Sequence, residues 1–77
     1  MDIRQAFATN LRRARHERGL SQDDLAYEAR VSRSYLSQIE KGSYYASLKI
    51  IERLAKVLRI EASDLLRMPN RRSAKKA

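Results

Sequence analysis

Residues 28–32, EARVS, admit only an abrupt turn between two helices. Before them, LSQDDL opens a helix: Ser21 is placed to accept from backbone N–H groups, Asp24 stands three residues on, and Leu20 and Leu25 have the spacing of a hydrophobic staple. After them the same pattern repeats at once, with Ser32 as the cap and Val31 and Leu36 as the staple. The spacing predicts helices over about 22–29 and from 33 to a stop at Gly42. So short a connection cannot lay the two helices antiparallel, side by side; it forces them to cross sharply.

The rest of the chain supplies helices to pack around this crossing. Ile3, Phe7, Leu11 and Ala14 recur at helical spacing and the run stops at Gly19, predicting a first helix over about 3–18. Ser47 caps a helix over about 48–58, whose Leu48, Ile51, Leu54, Ala55 and Leu58 form one apolar stripe. EASDLL gives a short fifth helix, with Leu65 and Leu66 closing the bottom of the core and Pro69 ending it. No strand pattern and no internal repeat occurs. The expectation is an all-α, five-helix domain over residues 1–67, followed by a basic, disordered tail over 68–77.

Seventy-seven residues allow one small core and no second domain. The absence of cysteine excludes disulfides, thiolate zinc sites and thiol nucleophiles, and nothing approaches the roughly 18 consecutive apolar residues of a membrane span. A soluble, cytoplasmic protein is expected. The net charge of +8 favours a polyanionic partner. Yet Arg67, Arg71, Arg72, Lys75 and Lys76 carry five of the positive charges, leaving 12 basic against 9 acidic residues in 1–66. Charge alone therefore says little about the folded part.

The third helix, within SRSYLSQIEKG, is more telling. At 100° per residue Leu36 and Ile39 share one side, flanked by Tyr35 and Glu40, while Ser34, Ser37, Gln38 and Lys41 fall opposite and Arg33 lies at the boundary. A helix kept only for solubility would more often carry Glu and Lys outward. This outer face presents donors and acceptors instead.

LRRARHERGLSQDDLAYEARVSRSYLSQIEKG, followed by SLKIIERLAKVLRIEASDLL, closely resembles the Cro and phage-repressor type of helix-turn-helix domain, the XRE family of regulators, and the small controller proteins of restriction-modification systems among them. The resemblance spans about residues 7–66. It rests on GLSQDDLA, VSRSYLSQIEKG and the SL…I..LAKVL…ASDLL ending, in register with one another. It implies a lambda-repressor-like fold in which the second helix crosses the DNA backbone and the third enters the major groove. It further implies a homodimer on a roughly palindromic operator in double-stranded DNA, acting as a transcriptional repressor or activator.

By position, the resemblance makes Arg33, Ser34 and Gln38 base-contacting residues, with Ser37 a further candidate on the same face. The chemistry agrees: an arginine fork suits guanine O6 and N7, and a glutamine amide suits adenine. Gln22, Ser32, Lys41, Ser43 and Tyr44 match phosphate-contacting positions, which set register without reading sequence. Ser32 can serve as a cap as well, and Tyr44 or Tyr45 can instead pack over the fourth helix. Arg15 and Glu40 match an ion pair joining the first helix to the end of the third, which makes Glu40 structural. The dimer surface is expected at Ile50, Val57, Ile60, Leu65 and Leu66, the alternative for Ile50, Val57 and Ile60 being packing against the fifth helix.

Two positions depart from the family pattern. Arg30 stands where the turn commonly has glycine, and Ala46 where proline is frequent before the fourth helix. A left-handed backbone at Arg30 would cost roughly 1 kcal/mol.

Other functions fit less well. An enzyme lacks inventory: His16 is the sole histidine and stands alone in its helix, no Gly-rich phosphate loop exists, and Asp23 and Asp24 suit the helix dipole without any catalytic role. No cofactor or metal site is suggested. Lys49, Arg53, Lys56 and Arg59 could face a membrane only if the apolar stripe behind them were free of the core. The remaining rival is a protein-binding regulator of the antitoxin type with secondary DNA binding, for which only the short tail could supply a toxin-binding segment.

Overall fold

The computed structural model describes residues 2–69, so the expectation for most of the tail lies outside the described residues. Five helices follow one another: α1 (Ile3–Glu17), α2 (Gln22–Ala29), α3 (Arg33–Glu40), α4 (Leu48–Leu58) and α5 (Ala62–Leu66). Ser21, Ser32 and Ser47 each accept a hydrogen bond from the backbone N–H three residues on, at 3.0, 3.0 and 3.2 Å. Each bond satisfies a donor that the helix itself leaves without a partner. An unforeseen cap opens α1: Asp2 accepts from the Gln5 N–H at 3.0 Å and the Gln5 side chain accepts from the Asp2 N–H at 3.3 Å. The hydrogen bond from the Gln5 backbone, ahead of the nearby Arg4, holds the Asp2 carboxyl below the usual carboxylate range.

Every helix contributes to one core. Phe7 and Leu11 of α1, Leu25, Ala26 and Ala29 of α2, Leu36 and Ile39 of α3, Ile51, Leu54, Ala55 and Leu58 of α4, and Leu65 of α5 form a single buried cluster. The first helix packs on α3 and α5, and α2 packs on α3 and α4. Each large aliphatic side chain so buried is worth about 1.5–3 kcal/mol, and truncating one costs about 2–5 kcal/mol. Leu20 and Val31 pack against this cluster from outside the ends of α2 and α3, as staples do.

Asn10 docks the last helix. Its amide nitrogen donates to the carbonyls of Leu65 at 2.9 Å and Arg67 at 2.6 Å, satisfying backbone acceptors at the C-terminal end of α5 from inside α1. Nothing in the local sequence marks Asn10, because its partners lie more than fifty residues away.

The structure corrects one expectation about the surface. Leu65 has no exposed area within a single chain, so it cannot line a dimer interface; its side chain is spent on the core. Ile50, Val57, Ile60 and Leu66 are partly buried against the same core. Val57 borders a depression with Glu28 and Arg53, Ile60 one with Arg13 and Asp64, and Leu66 an apolar one with Ile3 and Phe7.

The turn between α2 and α3 closes as the missing glycine would suggest. Arg30 caps α2 in the left-handed region, at φ 62° and ψ 46°, with its N–H donating back to the Tyr27 carbonyl at 3.3 Å. Arg59 ends α4 in the same way, at φ 60°. A left-handed conformation costs an L-residue about 1–2 kcal/mol, part of which glycine returns as chain entropy in the unfolded state. Arg30→Gly should therefore stabilise the domain by up to about 1 kcal/mol and raise Tm by a few degrees in thermal denaturation. An unchanged or lower Tm would show that the Arg30 side chain repays its strain through contacts of its own.

Candidate nucleic-acid interface

The inner side of α3 is fixed first. Leu36 and Ile39 are completely buried, and beside them the Glu40 carboxylate is only 3% exposed. Arg15 of α1 meets it with two parallel bonds, Nε to Oε2 at 2.7 Å and Nη2 to Oε1 at 3.1 Å, and sends Nη1 to the Leu20 carbonyl at 2.9 Å. Gln22, at the start of α2, adds a third bond to the carboxylate, Nε2 to Oε1 at 3.0 Å. The Arg12 guanidinium donates to the backbone carbonyl of Glu40. Two arginines of α1 thus hold the last residue of α3, one by its carboxylate and one by its carbonyl. A planar arginine fork suits this task better than the point charge of lysine.

With its inner side so occupied, α3 turns Arg33, Ser34, Ser37 and Gln38 outward. These four border a shallow polar concavity together with Asp23 of α2. Arg33 and Ser34 are exposed, and Ser37 and Gln38 are half-buried. The Arg33 guanidinium donates through Nε to the Gln22 side-chain oxygen at 3.4 Å, and its Nη1 lies 3.4 Å from an Asp23 carboxylate oxygen. Asp23, which suits the helix dipole by its position in the first turn of α2, also borders this surface. No sequence signal could have found it, since its proximity to Arg33 follows from the angle at which α2 and α3 cross.

The flanking residues divide. Lys41 and Ser43 are exposed just beyond α3, while the Ser32 hydroxyl is engaged in capping. At Gln22, where the family pattern brings both side chain and backbone amide to a phosphate, both ends of the side-chain amide are occupied, by Glu40 and by Arg33. Its backbone N–H, in the first turn of α2, remains suited to an anion. Tyr44 is half-exposed and its ring faces that of Tyr35, with centroids 6.3 Å apart at a 33° tilt. The Arg4 guanidinium lies 4.9 Å from the centre of the Tyr45 ring. The tyrosines therefore stack on residues of α3 and α1, and both also border an apolar depression that includes Ile51 of α4.

The rival surfaces are accounted for by the fold. Ile51, Leu54, Ala55 and Leu58 of α4 are buried in the core, whereas Leu48, expected in the same stripe, is 79% exposed because it stands in the first turn, outside the core cluster; one leucine is all that the stripe leaves to solvent beside the basic side of that helix. No helix of the described residues is long and apolar enough to cross a membrane. His16 is exposed on α1, and among the described residues no group of His, Asp and Glu could hold a metal ion.

Comparison with known proteins agrees with this geometry. A family model described as a helix-turn-helix domain matches residues 6–68. Control protein C.BamHI of Bacillus amyloliquefaciens is 38% identical over 66 residues, which make up 84% of this chain and 82% of that protein. The restriction-modification controller protein C.AhdI from Aeromonas hydrophila superimposes with a TM-score of 0.78 at 39% identity, covering 80% of this chain and 94% of that one. The hypothetical transcription factor NHTF from Neisseria gives a TM-score of 0.85 at 35% identity, over 88% and 78% of the two chains.

Removing one partner of a buried, fully paired carboxylate strands the others and costs about 3–5 kcal/mol. Glu40→Ala should therefore lower stability to chemical denaturation by about 3 kcal/mol, whereas Gln38→Ala, two residues away on the outer face, should change it by less than about 0.5 kcal/mol. Equal losses from the two substitutions would contradict the inward role of Glu40.

Proposed function

Because the chain belongs to the helix-turn-helix family of XRE-type transcriptional regulators, near the restriction-modification controller proteins, we propose that it binds a roughly palindromic operator as a homodimer, with α3 of each protomer in the major groove. At the coarser level it is a helix-turn-helix DNA-binding transcriptional regulator. In the proposed complex Arg33, Ser34, Ser37 and Gln38 meet base edges. The Gln22 backbone, Ser32, Lys41, Ser43 and Tyr44 contact phosphates on either side.

The observation that carries this reading is the division of α3. Leu36, Ile39 and its one carboxylate are buried, and the side left to solvent combines an arginine fork, an amide and two hydroxyls in one concavity. Those groups match the donors and acceptors of a major-groove edge. A free carboxylate on a groove-facing helix would oppose the phosphates; Glu40 avoids this by pointing inward. The homodimer draws on the surface that Ile50, Val57, Ile60 and Leu66 leave exposed around α4 and α5. Occupancy of the operator then blocks or recruits polymerase, and it is set by protein concentration through dimerisation.

Selection of bound sites from a random pool of duplexes tests the proposal. It should enrich a palindrome whose half-sites are about one helical turn apart. Enrichment of no sequence would reject this reading in favour of a regulator that works mainly by binding protein. On the enriched duplex, Arg33→Ala should cost about 1–3 kcal/mol and relax the choice at one base position. Lys41→Ala should weaken binding to all sequences alike and reduce its salt dependence. A uniform loss from Arg33→Ala would remove it from the reading set.

A further inference from the structure

We propose that Asp23 is a positioning residue for this DNA readout: with Gln22 it holds and neutralises the Arg33 guanidinium, so that Arg33 discriminates between bases instead of settling on any nearby phosphate. The inference rests on the reading of α3 as the recognition helix. It concerns a residue of α2, outside the groups that read the DNA in that proposal.

Arg33 is exposed over 62% of its side chain, yet two of its three guanidinium nitrogens are engaged, Nε by the Gln22 oxygen and Nη1 by Asp23, each at 3.4 Å. The Gln22 amide has only one orientation that satisfies both its neighbours. Its nitrogen donates to Glu40 Oε1, so its oxygen is turned toward Arg33. Orientation therefore passes from the buried Arg15–Glu40 pair through Gln22 to Arg33, and Asp23 holds the guanidinium from its other side. All of this borders the concavity shared with Ser34, Ser37 and Gln38.

The consequence for recognition follows from charge and freedom. A loose arginine on a DNA-facing surface is drawn to whichever phosphate is nearest, a contact without sequence information. A guanidinium beside a carboxylate has little net charge to offer a phosphate. Held as a fork, it still matches a pair of acceptors at one place in the groove, such as guanine O6 and N7. Asp23 thus weakens binding to arbitrary DNA and preserves it where the right base lies opposite.

The test uses Asp23→Asn, Arg33→Ala and the double variant, with dissociation constants measured at one salt concentration. The probes are the duplex that the unmodified chain enriches from a random pool, a scrambled duplex of equal length, and single-base variants of the enriched duplex. Asp23→Asn should tighten binding to the scrambled duplex by about twofold to fivefold, the range open to an exposed ion pair, with a smaller change on the enriched duplex and a broader base preference at the position Arg33 reads. In the Arg33→Ala background, Asp23→Asn should shift both duplexes by one common factor. An equal shift on both duplexes with Arg33 present would overturn the inference, leaving Asp23 as a repelling charge alone. Failure of the underlying reading has a different signature: Arg33→Ala by itself would leave every base preference unchanged.

Discussion

The Glu40 carboxylate is withdrawn from water at the end of the helix that faces outward, and that burial sets terms for its whole surroundings. Left unpaired there, the charge would cost several kcal/mol. Arg15 answers it with a bidentate contact, Gln22 with a third hydrogen bond, and Arg12 takes the carbonyl of the same residue. These bonds connect α1, α2 and α3, three helices that otherwise meet through their core side chains and, between α2 and α3, through the exposed contacts of Arg33. In a domain of this size, with a correspondingly small core, such a junction fixes an angle that hydrophobic contact alone would leave softer.

That angle has a functional meaning. With Leu36, Ile39 and Glu40 directed inward, the rotation of α3 about its axis is determined, and Arg33, Ser34, Ser37 and Gln38 are left outside. The same bonds orient the Gln22 amide and, through it, the Arg33 fork. In the proposed complex, stability and recognition are therefore coupled at one glutamine. Its side chain belongs to the junction, while its backbone N–H lies in the first turn of α2, beside the surface proposed to meet DNA. The family likeness explains why this arrangement suits DNA; the bond distances explain how it is held.

Much of this was legible in the sequence because local rules carry it. Ser21, Ser32 and Ser47 mark helix starts through bonds that span three residues, and the helix bounds they imply agree with the structure to within a residue. The separation of Leu36 and Ile39 from Ser34 and Gln38 is a matter of helical period, and the match to a helix-turn-helix family follows from residues in register. Other features depend on how distant segments meet. Asn10 looks like an ordinary polar residue until α5 is docked against it. Asp23 looks like a dipole-complementing acid until the crossing of α2 and α3 brings it to Arg33. Leu65 and Leu66 are adjacent and equally apolar, and only the packing of a short terminal helix shows that Leu65 is spent inside.

Two exposed polar surfaces of the domain offer a direct contest. One is the outer face of α3 with the start of α2; the other is the side of α4 that carries Lys49, Arg53 and Lys56. Backbone amide shifts recorded while the enriched duplex is titrated into the isotopically labelled chain distinguish them residue by residue. If α3 reads the groove, the largest changes should fall at Gln22, Asp23, Ser32 to Lys41 and Tyr44, with α4 beyond its first turn little affected. Changes centred on Arg53 and Lys56, with the outer face of α3 silent, would contradict the assignment of α3 as the reading element.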